Sequence, residues 1–170
     1  ILPIEWLVIP FSFVFASLVE YIAHRYPLHR PMKPLEKAYQ EHTVSHHHFF
    51  THDAIEYQEN RDFFRVFFPV WGVFLIQYFV GLPAALLIGK ITTANAGYLT
   101  LIVGSLFFFI YETIHMICHL KPNHWIFKVP GLSYVREHHR IHHHKWRMSH
   151  YNFNVVIPIW DKLLGTLRKD

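Results

Sequence analysis

The sequence is poor in cysteine and, over long stretches, in charge. Its single cysteine, Cys118, excludes an intramolecular disulfide framework and a cysteine-based zinc site. Residues 66–88 contain no charged side chain, and Lys90 is the only Lys or Arg between positions 66 and 120. The first residue is Ile1 rather than methionine, so we expect the native start to lie upstream, and no meaning attaches to the lack of a signal peptide.

Apolar residues form three long segments at about 6–23, 66–88 and 97–118. Each has about 18 to 23 residues, enough for a helix to cross a hydrocarbon layer of roughly 30 Å. The chain is 52% hydrophobic and 18% aromatic, and its remaining polar sequence is too short to wrap three such helices in a water-soluble fold. Its length of 170 residues suits one domain. We therefore predict an all-α integral membrane helical bundle, a single domain over residues 1–170, with three transmembrane helices.

Charge is placed asymmetrically along the chain. Every Lys and Arg except Lys90 lies in the polar blocks 24–65 and 119–170. By the positive-inside rule both blocks face the cytoplasm, so the second and third apolar segments form a hairpin whose far-side turn is residues 91–96. Because the histidines lie in the same blocks or at the helix ends that meet them, we predict a cytoplasmic histidine-rich helical cap. The basic charge is then explained by anionic lipid, and nucleic acid is not an expected partner.

Histidine is the most unusual feature, with 16 residues, and its spacing indicates metal ligands. Residues three or four apart share one face of an α-helix. His115 and His119 are four apart at the end of the third apolar segment, so both rings can point to one centre. The cluster of His139, His142 and His143 combines spacings of three and four on another helix.

A third cluster repeats this spacing in the first polar block. His42 and His46 are four apart, so they are predicted to share one centre, while His47 is rotated by about 100° and could serve a second metal ion nearby. His24 and His29 have the wrong spacing for a straight helix. Pro27 is predicted to break the helix between them and to let the chain turn back, so that both rings converge.

Together these four clusters supply ten nitrogen ligands, more than the four to six that one ion takes, so two metal ions are expected. The candidate ligands are His24, His29, His42, His46, His47, His115, His119, His139, His142 and His143. Three carboxylates, Glu20, Glu41 and Glu112, lie close enough in sequence to accept the second ring N–H of neighbouring histidines. The spacing also leaves open that His138 replaces or joins His139. Of the other histidines, His48, His52 and His144 lie beside candidates, whereas isolated ones such as His124 and His150 are typical of surface or packing positions.

Five segments resemble one family over the range from Glu20 to Leu167. They read EYIAHRYPLH, EHTVSHHHFFTHD, YETIHMICHL, EHHRIHH and NFNVVIPIWDKLLGTL. The chain is similar to the membrane fatty acid hydroxylase and sterol desaturase superfamily. The resemblance implies that the same ten histidines hold a non-haem diiron centre that activates O₂, with zinc possible as a substitute. Imidazole ligands alone do not distinguish zinc, iron and copper.

The resemblance implies an O₂-dependent membrane monooxygenase of lipid biosynthesis, hydroxylating or desaturating a lipid such as a fatty acyl chain, sterol or carotenoid. The sequence leaves open which lipid and which carbon. It contains no fused cytochrome b5 segment, so a separate electron donor of the cytochrome b5, ferredoxin or reductase type is expected. The alternative is a non-catalytic membrane metal-binding or transport protein, for which polar ligands near the bilayer midplane and no terminal NFN and WD motifs would be expected.

Overall fold

The computed structural model describes residues 2–169, so positions 1 and 170 of the predicted domain lie outside the described residues. Within that range the chain is helical and forms no strand, only an isolated bridge between Thr51 and Ala54. The α-helices are Val8–Ala23 (α1), Glu36–Tyr39 (α2), His47–Phe49 (α3), Val70–Ile76 (α4), Leu82–Ile91 (α5), Ala94–Cys118 (α6), Leu132–His142 (α7) and Ile159–Leu163 (α8). Wider π-helical turns occur at His24–Leu28, Gln40–His46 and Gln77–Gly81, and tighter 3₁₀ turns at Pro3–Leu7, Asn60–Arg65 and Trp125–Lys128. The all-α prediction is confirmed.

Three helical stretches are long and apolar enough to cross a membrane. They are Pro3–Leu28, Asn60–Ile91 and Ala94–Cys118, with 26, 32 and 25 residues. A span of about 20 residues suffices for a typical bilayer. The first stretch extends beyond the apolar segment seen in the sequence because a 3₁₀ turn precedes α1 and a π turn continues it. The second includes the 3₁₀ turn Asn60–Arg65, which residues 66–69 separate from α4. The third is α-helical throughout. The protein is therefore a membrane protein with three spanning helices, as predicted.

The first spanning helix does not break at Pro27, and this prediction was wrong. The helix continues through Pro27 to Leu28 as a π-helical turn. Proline lacks an N–H, and its ring collides with the carbonyl four residues earlier in an α-helix. The wider π turn relieves this collision without ending the helix.

The chain divides into two compact units. One, here called the apolar unit, comprises the chain up to Val19 together with Phe68–Ile110. The other, called the histidine unit, comprises Glu20–Phe67 and the chain from Tyr111 onward. Helices α1 and α6 each run from one unit into the other, so the transition from apolar to histidine-rich sequence occurs within continuous helices.

The apolar unit buries few large side chains and exposes many. Phe74 is 70% exposed and Phe109 66% exposed, as is typical of a surface that meets lipid rather than water. Between helices, polar side chains pair with one another, as Ser12 Oγ does with Thr100 Oγ1 at 3.3 Å. Such pairing is needed where no water is available.

Helices α5 and α6 are in close backbone contact at Gly97. A Cβ atom at this position would lie 2.6 Å from the carbonyl oxygen of Ala85 and 3.0 Å from Cα of Gly89. Both neighbours are backbone atoms and cannot rotate away. The two helices can therefore pack at this distance only because position 97 lacks a side chain.

The histidine unit has a buried core of aromatic and aliphatic side chains beside its histidines. Tyr21, Phe50 and Phe153 are each at most 1% exposed. The edge of the Tyr21 ring packs against Phe153 with centroids 5.7 Å apart, which joins α1 to the C-terminal segment. This core holds segments that are distant in sequence at fixed positions around the histidines.

We predict that Gly97→Ala lowers the thermal stability of the protein in detergent or nanodiscs, because the new methyl group forces α5 and α6 apart. The matched control is Gly104→Ala in the same helix, where a Cβ atom meets nothing within 4 Å. Thermal unfolding followed by circular dichroism measures both variants. Equal melting temperatures for the two variants would contradict the close-packing interpretation.

Candidate metal centre

The structure brings all ten candidate histidines together in two groups of five. Group A consists of His24, His29, His42, His47 and His142. Group B consists of His46, His115, His119, His139 and His143. Within each group one ring nitrogen from every residue lies within 4.8 Å of the others, and every residue is buried. The groups are adjacent, because the rings of His47 and His143 stack with centroids 4.1 Å apart.

The π-helical turn Gln40–His46 divides its histidines between the groups differently from the sequence prediction. His42 and His47 belong to group A and His46 to group B, so the predicted sharing of one centre by His42 and His46 was wrong. The N–H of His47 donates to the carbonyl of His42, the i to i+5 hydrogen bond of a π-helix. Residues five apart therefore lie one turn above each other, and their Nε2 atoms are 3.2 Å apart.

Helices α6 and α7 follow the α-helical spacing rule. His115, in the last turn of α6, and His119, directly after α6, both belong to group B, with their Nε2 atoms 3.3 Å apart. His139 and His143, four apart, also belong to group B, with Nε2 atoms 3.0 Å apart. His142 is rotated away from them and belongs to group A.

In five of these histidines the Nδ1 atom faces a backbone carbonyl. His142 Nδ1 lies 2.9 Å from the carbonyl oxygen of Tyr151, and His119 Nδ1 lies 2.7 Å from that of Ile55. The other pairs are His24 with Phe153, His46 with Arg65 at 2.9 Å, and His143 with Phe50 at 2.5 Å. A carbonyl oxygen only accepts, so each Nδ1 carries the proton and each Nε2 has a free lone pair.

His29 also carries its proton on Nδ1, but the acceptor is a side chain instead of a carbonyl. The hydroxyl of Thr43 donates to the carbonyl of Leu28 at 2.6 Å, so its oxygen accepts from His29 Nδ1 at 3.0 Å. The Nε2 atom of His29 then faces that of His142 at 3.0 Å, and neither holds a proton. Two lone pairs at this distance repel unless a cation lies between them.

Group B also contains facing Nε2 atoms that cannot all form hydrogen bonds with one another. The Nε2 atom of His139 lies 3.3 Å from that of His119 and 3.0 Å from that of His143. It can donate at most one proton, so one facing lone pair has no hydrogen-bond donor. His46 Nε2 is also buried, without a hydrogen-bond partner among the described residues.

This donor set fits two metal ions. Two nitrogens bound to one ion at about 2.1 Å and at right angles are about 3.0 Å apart, and in tetrahedral binding they are about 3.4 Å apart. The facing Nε2 pairs of both groups lie between 2.9 and 3.3 Å apart. Five imidazoles are within the four to six ligands that one ion takes. Each group could therefore hold one metal ion.

Burial also keeps the imidazoles outside the spanning helices in their neutral, metal-binding form. Desolvation lowers the pKa of His46 to about 4. Desolvation first, and then the neighbouring histidines, lower the pKa well below the usual range for His29, His42, His47, His119, His139, His142 and His143. A neutral ring has the lone pair that a metal ion requires.

Glu20 has a different role from the one predicted for it. Its carboxylate accepts from the backbone N–H of Val155 at 2.5 Å and of Val156 at 3.2 Å, and from Asn154 Nδ2 at 3.0 Å. The prediction that it accepts a ring N–H of His24 was wrong, because the carbonyl of Phe153 does so. Glu41 pairs with Lys37 at 3.6 Å. Acceptance of a ring N–H by Glu112 stays a prediction.

The remaining histidines lie outside both groups. His138 is buried, with its Nε2 atom 3.3 Å from Asp161 Oδ2. His52 contacts Asp53 and Arg140, and His124 caps the turn Trp125–Lys128. Sequence reasoning missed Thr43 and the carbonyl acceptors. Every residue has a carbonyl, so no pattern of residue types marks the ones that face a ring.

The fold and the two groups define a class of protein, a membrane protein with buried histidine clusters that could bind metal ions. Residues 9–166 match the fatty acid hydroxylase family. This is nearly the whole chain, and the protein belongs to that family, within the fatty acid hydroxylase and sterol desaturase superfamily. The family is metal-dependent and indicates a lipid hydroxylase or desaturase type of oxidoreductase. Searches of curated proteins and of solved structures found no significant match.

We predict that the free energy of unfolding of the metal-free protein falls as the pH is lowered from about 6.5 to about 4. The pKa of His46 is near 6.5 when unfolded and about 4 when folded, so in this window the unfolded chain binds more protons. Denaturant unfolding in detergent at several pH values measures the effect. His150→Ala, which removes an exposed histidine, is the control and should retain the pH dependence. A stability that is constant over this window would contradict the burial of neutral rings.

Proposed function

We propose that the protein is an O₂-dependent oxidoreductase that hydroxylates or desaturates a lipid at a diiron centre. The observation that carries this proposal is the set of Nε2 atoms that face each other within each group at 2.9 to 3.3 Å, among them the unprotonated pair of His29 and His142. Such a set is unstable without cations, and two sets side by side suit a pair of metal ions. Membership of the fatty acid hydroxylase family directs the choice of chemistry.

The ten histidines of groups A and B are the proposed ligands. Iron is proposed rather than zinc because zinc has no redox chemistry and the family is an oxidoreductase family. When bound, the irons supply the activation of O₂ that oxidation of an unactivated C–H bond requires. Hydroxylation leaves one oxygen atom in the product and one in water, so two electrons and two protons must come from a donor. A separate redox protein is the proposed source.

The chain itself supplies neutral imidazole ligands, fixes the orientation of their rings and excludes water from them. In five of the ten histidines a carbonyl holds the Nδ1 proton in place, and in His29 the Thr43 hydroxyl does so, which directs the opposite nitrogen to the proposed metal position. His119, His139 and His142 are each 0% exposed, so bulk water is excluded from the ligands. A dry environment protects a strong oxidant from side reactions and favours an apolar substrate.

A lipid substrate is supported by the family and by the three spanning helices. The metal ligands lie in the histidine unit, which contains the ends of α1 and α6. A lipid in the bilayer could present its chain to residues at those helix ends without leaving the membrane. The positive-inside rule supports a cytoplasmic location for this unit, because its two polar blocks contain every Lys and Arg except Lys90.

We predict that His142→Ala in group A and His119→Ala in group B each lower metal content and abolish product formation. The matched control is His48→Ala, which removes an exposed ring adjacent to a ligand. Metal is counted by elemental analysis of anaerobically purified protein, with about two irons per chain expected for the original sequence. Untargeted lipidomics of host cells should show lipids that gain an oxygen atom or lose two hydrogens.

An active protein with one metal per chain would exclude the diiron centre. Metal uptake without a lipid product or oxygen consumption would instead indicate a non-catalytic metal-binding protein. Normal product formation by both ligand variants would place the chemistry elsewhere. The His48→Ala control separates loss of a ligand from general damage to this segment.

We predict that a membrane-impermeant maleimide labels Thr92→Cys from outside intact cells but labels Lys145→Cys only after permeabilisation. Thr92 lies in the turn between α5 and α6, and Lys145 follows α7. Both positions are exposed, whereas the native Cys118 is 0% exposed and should contribute little background. The opposite labelling pattern would place the histidine unit outside the cytoplasm.

A further inference from the structure

The two histidine groups take their Nδ1 acceptors from different parts of the chain. The carbonyls that face group A belong to Tyr151 and Phe153, in the segment after α7. Those that face group B belong to Phe50, Ile55 and Arg65, in the segment after α3. The positions of the carbonyl acceptors in each group therefore depend on the conformation of a different loop.

The loop that serves group A is held by Asp161 in α8. The Asp161 carboxylate accepts from the N–H of Phe153 and from the N–H of Asn154, both at 2.8 Å. It also accepts from Thr166 Oγ1 at 2.7 Å, and Asp161 is 0% exposed. The peptide units on either side of Phe153 are fixed in this way, and one of them carries the carbonyl that faces His24.

Glu20 holds the same loop from the other side. It lies one turn before His24 in α1 and accepts the N–H groups of Val155 and Val156. Asn154 links the two carboxylates, because its Nδ2 donates to Glu20 at 3.0 Å and its backbone N–H donates to Asp161. Each of the two carboxylates accepts from two backbone N–H groups and from one side chain, and neither contacts one of the ten candidate ligands in these hydrogen bonds.

We propose that Asp161 and Glu20 are positioning residues for the metal ion of group A, acting through the carbonyls of Phe153 and Tyr151. These two carbonyls set the protonated nitrogen and the direction of His24 and His142. Group B has no acceptor in this loop, so its metal ion does not depend on the two carboxylates. This inference rests on the proposed two-metal centre.

Group B has a corresponding support that provides a matched control. Arg136 in α7 donates to Glu56 at 2.6 Å and to the carbonyl of Leu120 at 3.2 Å. Glu56 lies between Ile55, whose carbonyl accepts from His119, and Tyr57, whose N–H donates to the carbonyl of His119. Glu56→Gln should therefore act on group B.

The test measures metal affinity in the full chain in nanodiscs, with Zn²⁺ alone as the probe and a competing chelator. Zn²⁺ has no redox chemistry, so the readout is independent of activity. For Asp161→Asn and for Glu20→Gln we expect one of the two sites to weaken by about 10- to 100-fold and the other to change by less than about 3-fold. Glu56→Gln should weaken the other site by a similar factor.

Double variants that combine Asp161→Asn with loss of one ligand show whether the weakened metal site belongs to group A or to group B. Asp161→Asn combined with His142→Gln should retain one metal ion, because both changes act on group A. Asp161→Asn combined with His119→Gln should retain none under the same chelator. The reverse pattern would overturn the proposal, and so would equal weakening of both sites or no weakening of either.

Two further outcomes are distinguishable. If Asp161→Asn loses its helical circular dichroism, the metal affinity of Glu20→Gln tests the positioning role instead. The Gln side chain has nearly the same shape as Glu and keeps an oxygen that accepts from the N–H of Val155. If the original sequence binds fewer than two ions, the proposed two-metal centre fails and this inference fails with it. If it binds two, the variants test the positioning role alone.

Discussion

The structure depends on unprotonated imidazole nitrogens that face one another at about 3 Å in a buried, nearly dry environment. His29 and His142 show the constraint most clearly, because each has its proton on Nδ1 and its lone pair directed at the other. Water cannot reach them to screen the repulsion, and burial opposes protonation of either ring. A cation between the two rings would remove this repulsion, so the fold and the proposed metal centre have to be explained together.

Two kinds of helical turn, α and π, bring the histidines together. The ends of α6 and α7 use the four-residue repeat of the α-helix, whereas Gln40–His46 is π-helical. A π turn effectively inserts one residue into an α-helix and rotates everything that follows. In this protein the rotation places His42 with His47 and sends His46 to the neighbouring group. One short helix can then serve two metal positions.

The buried carboxylates of Asp161 and Glu20 do not hydrogen-bond to the ten histidines but to the loop behind two of them. Neutral carbonyls contact the rings, and the carboxylates of Asp161 and Glu20 contact the backbone N–H groups of the loop that carries two of those carbonyls. A carbonyl orients an imidazole without adding net charge beside the metal, while a buried carboxylate needs several donors to offset its desolvation. Each carboxylate has such donors, which explains how both acids are tolerated in the interior.

The apolar spans, the membrane class, the family and the ten histidines that converge could all be predicted from the amino-acid sequence. The spans and the candidate ligands follow from composition and from spacing along the chain, whereas the family follows from the resemblance of five segments. The structure confirmed the helices and the membrane class, and the family match confirmed the family. The division of the histidines into two groups, the continuation of the helix through Pro27 and the hydrogen bonds of Glu20 could not be predicted and are seen only in the folded protein. The spacing rules assume an α-helix, so a π turn defeats them. Acceptors such as the carbonyl of Phe153 belong to the backbone that every residue shares, and only folding selects which ones face a ring.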